Sequence, residues 1–126
     1  MGLHTVKRQY LLGDTFSEDA LHLARAIYNS YIENDEDLYM EIHLQKITSL
    51  LKLEDCYDPV RYITTVLEEI NEPIGVRNFK YYADEYEIRF LVFCSYEFED
   101  DMINIYLSEE FLYAEKLYMI EDFLTQ

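Results

Sequence analysis

Glycine is scarce in this chain, at 3 of 126 residues, and proline scarcer still, at 2. With no Ser/Gly-rich stretch either, a flexible linker is excluded and one domain over residues 1–126 is expected. Cysteine is limited to Cys56 and Cys94, far apart and without a CxxC spacing. Such thiols read as buried and reduced, which places the chain in the cytoplasm. No apolar run approaches the ~20 residues of a membrane span and no secretory core follows the start, so no membrane partner is expected. Val6 stands where N-myristoylation after Met1-Gly2 needs Ser or Thr. HExxH, P-loop, GxSxG and GxGxxG patterns are missing too. The chain therefore reads as non-enzymatic, with no catalytic residue, cofactor or metal.

Positive charge is the largest deficit. Lys and Arg number 10 against 26 Asp and Glu, a formal net charge of −16 with a sequence pI near 4.3. B-form DNA carries one phosphate per ~1.7 Å of axis, so this charge matches roughly 27 Å of duplex, about eight base pairs. Such a surface repels nucleic acid and suits basic partners. Half of the residues are nonetheless hydrophobic and 16% are aromatic. Charge-driven disorder lacks that apolar content, so a folded core beneath an acidic shell is expected.

The first helix should begin near Ser17, with Glu18 and Asp19 at the positive end of its dipole. A capping box from Thr15 to Glu18 is the alternative start. Ala20, Leu21, Ala24, Ile27, Tyr28, Tyr31 and Ile32 recur at helical spacing and form its apolar stripe. Asn34 and the acidic run Asp35-Glu36-Asp37 end it. Leu38, Met40 and Ile42 alternate with Tyr39, Glu41 and His43 as a short half-buried strand. Leu44, Ile47, Leu50 and Leu51 return to helical spacing. Asp58-Pro59 opens a third helix with Val60, Ile63, Val66, Leu67 and Ile70 on its buried side. The period then becomes two. Ile74, Val76 and Asn78 alternate up to Phe79, and Tyr86, Ile88, Phe90, Val92, Cys94, Tyr96 and Phe98 read as one long strand face, while Leu91 and Phe93 on the other side point to burial on both faces there. Glu99-Asp100-Asp101 turns that strand into Ile103, Ile105 and Leu107. Ser108 caps a last helix carrying Phe111, Leu112, Leu117, Tyr118, Phe123 and Leu124.

The order is helix, short strand, two helices, β-hairpin wing and C-terminal helix. That is an α+β, single winged-helix-like domain. Particular stretches carry a family likeness: Ile47-Thr-Ser-Leu-Leu51, the helix from Tyr62 to Ile70, Pro73-Ile74, the strand from Glu87 to Cys94, and the run from Ile103 to Leu112. Over roughly residues 15–124 the chain resembles the N-terminal winged-helix domain of theta-type plasmid replication initiator proteins, which carry two tandem winged helices. The resemblance implies dimer formation and some DNA contact for this domain, with stronger sequence reading in a second domain absent here. Origin binding is not expected of so acidic a half.

The helix in the recognition position presents Arg61, Thr64, Thr65, Glu68 and Glu69 to solvent, flanked by Asp55, Asp58 and Glu72. One Arg against so many carboxylates is a poor phosphate-facing set. The hairpin tip gathers Glu97, Glu99, Asp100 and Asp101. It reads either as a solvated turn that blocks edge pairing or as a phosphate-like row that docks into a basic groove. The run Glu33, Asp35, Glu36, Asp37 carries the same two readings. Partner-binding residues are therefore expected at Glu97, Glu99, Asp100, Asp101, Glu68, Glu69, Glu72, Asp35, Glu36 and Asp37. Glu41 and His43 share a strand face without a third metal ligand, and His4, His22 and His43 are scattered. Cys56 with His43 lacks an advertised oxyanion donor. Thirteen tyrosines exceed what a core needs, and Tyr beside carboxylates points to a protein-binding face. The expected partner is the basic surface of a nucleic-acid-binding protein, met by a DNA-mimic-type inhibitor. Self-pairing as a homodimer, in the manner of an initiator module, is the alternative.

Overall fold

Ser17 sets the first boundary in the computed structural model, which describes residues 16–117, 119 and 120. Its hydroxyl accepts from the Ala20 amide at 3.1 Å, satisfying one of the orphan donors of a helix start. Helix α1 then runs Glu18–Glu33 and buries Ala20, Leu23, Ala24 and Ile27. Leu23, not on the expected stripe, is fully buried, and Ile32, on it, is exposed because it falls in the final turn. Thr15, and with it the alternative capping box, lies outside the described residues. Asp35 and Glu36 both adopt left-handed backbone, with φ 55 and 58, and reverse the chain. Strand β1 (Tyr39–His43) follows, burying Met40 and Ile42 and exposing Tyr39, Glu41 and His43 as alternation requires.

No loop separates β1 from α2 (Leu44–Leu50); the Leu44 amide instead donates to the Asp101 carbonyl at 2.7 Å. Helix α3 (Pro59–Ile70) opens on Asp58, which accepts from the Arg61 amide at 3.2 Å, with Pro59 where its missing N–H costs nothing. Ile63, Val66, Leu67 and Ile70 face inward; Val60 does not, because the first turn projects past the core. α1 and α3 are knitted at one end. Glu69 accepts from the Ser17 amide at 2.6 Å and hydroxyl at 2.9 Å, and the Tyr62 hydroxyl donates to Asp19.

The remaining strands form two antiparallel sheets. Among the described residues β2 (Ile74–Tyr81) pairs with β3 (Asp84–Leu91) alone. β4 (Cys94–Glu99) pairs with β5 (Met102–Leu107), and β5 also pairs with β1, giving the order β1–β5–β4. Helix α4 (Glu109–Lys116) closes the described chain, with Ser108 accepting from the Phe111 amide at 3.1 Å. It is shorter than the expected apolar positions implied. Phe111 is buried and Leu117 is exposed just past its end, while Tyr118, Phe123 and Leu124 lie outside the described residues. The fold is mixed α+β, with four helices and two small sheets among the described residues.

The long strand expected from Tyr86 to Phe98 is two strands in different sheets. Leu91 and Phe93 are buried as expected, but Ile88, Phe90 and Val92, expected to be buried on the other face, are exposed. The cause is tertiary. The Phe93 carbonyl accepts from the Ser108 amide at 2.9 Å, and the Cys94 amide donates to Asn71 Oδ1 at 2.8 Å, so the ladder is abandoned at Val92–Phe93. The Phe93 ring then packs edge-on against Phe111, with centroids 5.2 Å apart. A second parity change occurs in β2. Asn78 takes φ 53, so Phe79 rather than Asn78 follows Ile74 and Val76 into the core. On the outer side Gly75 admits Phe90, whose ring would lie 3.1 Å from an added Cβ.

The core joins both sheets to the helices: Ile47, Ile63, Leu67, Phe79, Phe93, Ile103, Ile105 and Phe111 are all essentially inaccessible. Each such side chain contributes about 1.5–3 kcal/mol over an exposed one. Cys94 belongs to this interior, and burial pushes its thiol up to about 11. Both Cys56 and Cys94 are free.

Candidate protein-binding face

Strand alternation sorts the β1–β5–β4 sheet into an inward set and an outward set. Across the outward face the register aligns Tyr39, Tyr106 and Ser95 in one row, Glu41, Asn104 and Glu97 in the next, and His43, Met102 and Glu99 in the third. Tyr39, Glu41, His43, Ser95, Glu97, Glu99 and Tyr106 are exposed, so the face is open to solvent. It carries no Lys or Arg, and the whole span 90–115 carries none. Glu97 and Glu99 stand about 6.7 Å apart at a two-residue step, and Glu41 lies two strands away, roughly 10 Å across the sheet.

The tip extends this face. Asp100 and Asp101 connect Glu99 to Met102. Asp100 holds φ 54, a conformation its short polar side chain tolerates better than most residues do. The Asp101 carbonyl is tied to the Leu44 amide, and its carboxylate lies 3.9 Å from His43 Nδ1. Asn104 Nδ2 donates to Glu99 Oε1 at 3.4 Å. The turn is thereby anchored to the β1–α2 junction, and its carboxylates project from a fixed base.

Tyr39 reports the field over this face. Its hydroxyl donates to Glu41 Oε2 at 3.0 Å, and this bond, then partial desolvation, then the charges of Glu41, Glu99 and Glu97, raise its pKa. Carboxylates on β4 thus act on a phenol on β1 across the intervening strand. The fold brings Glu97, Glu99, Asp100 and Asp101 together as expected and adds Glu41 from β1. Sequence alternation placed Glu41 and His43 on one strand face, but only the pairing of β5 with both β1 and β4 places Glu41 in one row with Glu97, across Asn104.

The other expected residues are dispersed. Glu68 is exposed on α3 close enough to Tyr96 to raise its pKa, after the larger effect of burial, so it flanks the β4 edge on the helical side. Glu69 is half-buried and holds Ser17. Glu72 is exposed just past α3. Asp35, Glu36 and Asp37 form the exposed turn before β1, at the opposite end of the sheet from Asp101. Asp37 there accepts from the Tyr39 amide at 3.0 Å. On α3 Arg61, Thr65 and Glu68 are exposed, Thr64 is half-buried, and both threonine hydroxyls donate back to the helix, to the Val60 and Arg61 carbonyls.

A second exposed surface differs in chemistry. Ile88, Phe90 and Val92 are 48%, 64% and 44% exposed along one side of β3, the apolar row that alternation had assigned to the interior. Among the described residues no three or more His, Cys, Asp or Glu side chains gather as a metal would require, and no helix is long and apolar enough to cross a membrane. Family models, curated proteins and solved structures contain no match to the chain.

Proposed function

We propose that this chain is a cytoplasmic, non-enzymatic protein-binding domain of winged-helix-like fold that presents a DNA-like acidic surface to nucleic-acid machinery. The fold reading rests on a three-helix unit, α1 to α3, whose interhelical strand β1 is completed by the wing β4–β5, with β2–β3 as an insertion. The observation that carries the function is the outward sheet face. Glu41, Glu97 and Glu99, continued by Asp100 and Asp101, stand on paired strands with no Lys or Arg among them. Held on a sheet, these charges need little reorganisation to meet a basic groove, and they accelerate encounter by steering. The partner is a basic nucleic-acid-binding protein, and the action is competition with its DNA, as in anti-restriction or anti-CRISPR inhibitors.

The test is affinity capture by the wild-type chain and by an E41Q/E97Q/E99Q/D101N variant, followed by duplex competition with each captured protein. A DNA-binding protein retained only by the wild type, and released by duplex or by high salt, supports the reading. Equal capture by the variant, or tight binding of the purified chain to duplex at physiological salt, overturns it.

A second reading follows from the exposed row Ile88, Phe90, Val92. An apolar stripe on a strand whose sheet has only two members is a ready self-pairing surface. It fits a dimerisation or regulatory module resembling the first domain of a plasmid replication initiator. Sedimentation as a dimer at micromolar concentration, abolished by F90D, distinguishes this reading from mimicry, which F90D leaves intact.

A further inference from the structure

Away from the acidic sheet, the C-terminal part of α1, the β2–β3 turn and α4 enclose an open cleft of about 600 Å³. Sites for small ligands and side chains occupy roughly 300–1,000 Å³. Its walls are phenolic. Tyr81 meets Tyr82 at 4.5 Å between centroids and Tyr113 at 5.1 Å, both nearly edge-on, while Tyr82 and Tyr113 lie 6.2 Å apart. Tyr31 lines the α1 side, and Glu36 and Glu109 join it in the lining. Glu36 raises the pKa of Tyr31, and Glu109 raises that of both Tyr31 and Tyr81, in each case after the larger effect of desolvation. Glu36 and Glu109 therefore act on one space, and with Glu115 they make three carboxylates in the lining against a single cation, Lys116.

Tyr82 is 71% exposed, and the open π face of such a ring is the negative part of its quadrupole. Carboxylates beside such faces deter anions and favour a weakly hydrated organic cation. An open, solvent-filled cleft suits a cation delivered on a chain better than a buried metabolite does. We propose that this cleft is a receptor for the guanidinium of an arginine side chain carried by a basic protein segment, with Tyr81, Tyr82 and Tyr113 as the stacking walls and Glu36 and Glu109 as the charge partners. The site does not depend on the acidic sheet face; it would anchor a basic segment even if that face were only solvated.

The experiment titrates N-acetyl-arginine amide, and N-acetyl-citrulline amide as its neutral isostere, into the full chain by two-dimensional NMR. Saturable shifts at Tyr31, Tyr81, Tyr82 and Tyr113, with citrulline amide about tenfold weaker, support the assignment. Glu109→Gln preserves side-chain volume and an acceptor for Tyr81, and should weaken the arginine probe about fivefold without changing the dispersion of the free spectrum. Tyr113→Leu should remove binding, and Tyr113→Phe should retain it. Equal binding of the two probes, indifference to Glu109→Gln, absence of saturation, or shifts confined to Glu97 and Glu99 would each overturn the proposal. E97Q/E99Q leaves the cleft intact, so failure of the sheet-face reading is separately visible.

Discussion

The two hairpins are built alike and charged differently. Between Ile74 and Leu91, Arg77, Lys80 and Arg89 balance Asp84, Glu85 and Glu87, three against three. Between Cys94 and Leu107, Glu97, Glu99, Asp100 and Asp101 face no Lys or Arg, four against none. The first hairpin also settles its charges within the chain. Lys80 reaches Glu85 at 3.2 Å across the strands, and Arg89 reaches Glu110 on α4 through two bonds, at 2.8 and 3.2 Å, with its guanidinium 4.8 Å over the Tyr86 ring. Among the described residues the second has the long contact of Asp101 with His43, at 3.9 Å. Carboxylates gathered in a hairpin that holds no Lys or Arg are a poor way to stabilise a sheet, since like charges on neighbouring positions repel. The difference separates a hairpin whose polar groups serve the fold from one whose polar groups serve the solvent side.

The strongest way to break that contrast is to give the second hairpin the charge balance of the first. E97K/E99K should weaken capture of a basic partner by about 100-fold or more at low salt, because two attractive contacts become repulsive. Circular dichroism and the melting temperature should be unchanged or slightly improved as repulsion falls. R77E/K80E on the balanced hairpin should leave partner binding within about twofold, a steering effect only. Surface plasmon resonance at two ionic strengths checks both.

The joint between the hairpins comes next. Asn71 Oδ1 accepts from the Cys94 amide at 2.8 Å and its Nδ2 lies 3.5 Å from the Cys94 sulfur, at the point where β3 hands over to β4. Asn71→Ala strands a buried amide and should cost about 1–3 kcal/mol in urea unfolding. Asn71→Asp keeps the acceptor and should cost less.

This joint also explains what was legible in the sequence and what was not. Local chemistry announced itself: Ser17, Asp58-Pro59 and Ser108 each cap the helix their neighbours predicted. So did the tip, because Glu99-Asp100-Asp101 interrupts alternating apolar residues. Alternation failed where a tertiary bond or a left-handed residue changes parity without altering the pattern. Asn78 and the Val92–Phe93 break are such places, and Ile88, Phe90 and Val92, expected inside, lie outside as a result. The candidate face was half visible for a related reason. Its β4 carboxylates, Glu97 and Glu99, lie two residues apart in sequence, but Glu41 and Tyr39 join them only through a register fixed by long-range pairing.

The two ion pairs of the balanced hairpin offer a finer comparison. Arg89 and Glu110 are 40% and 24% exposed and bidentate, whereas Lys80 and Glu85 are 65% and 70% exposed. Double-mutant cycles should give a coupling near 1 kcal/mol for the first pair and a few tenths for the second. Raising salt to 1 M should erase the second before the first, because screening acts most fully on exposed charges.

The smallest effect lies on the unbalanced face and is read with base rather than by mutation. Tyr39 is raised above its ordinary pKa by Glu41, Glu99 and Glu97, so its folded form holds the proton more tightly than the unfolded chain does. Tyr31, Tyr62, Tyr81 and Tyr96 are shifted the same way, Tyr62 chiefly by its bond to Asp19 and the others chiefly by burial. For a raised acid the contribution to stability is full below the unfolded value, about 10, and is lost as pH climbs through the folded value. Phenolate absorbance should therefore lag behind that of the urea-unfolded chain, and the melting temperature should begin to fall above pH 10. E97Q/E99Q should advance only the Tyr39 part of the curve, followed by NMR of its ring, and leave Tyr62 and Tyr81 in place. An unmoved Tyr39 would mean that the outward carboxylates do not share one field, and the two hairpins would then differ in composition alone.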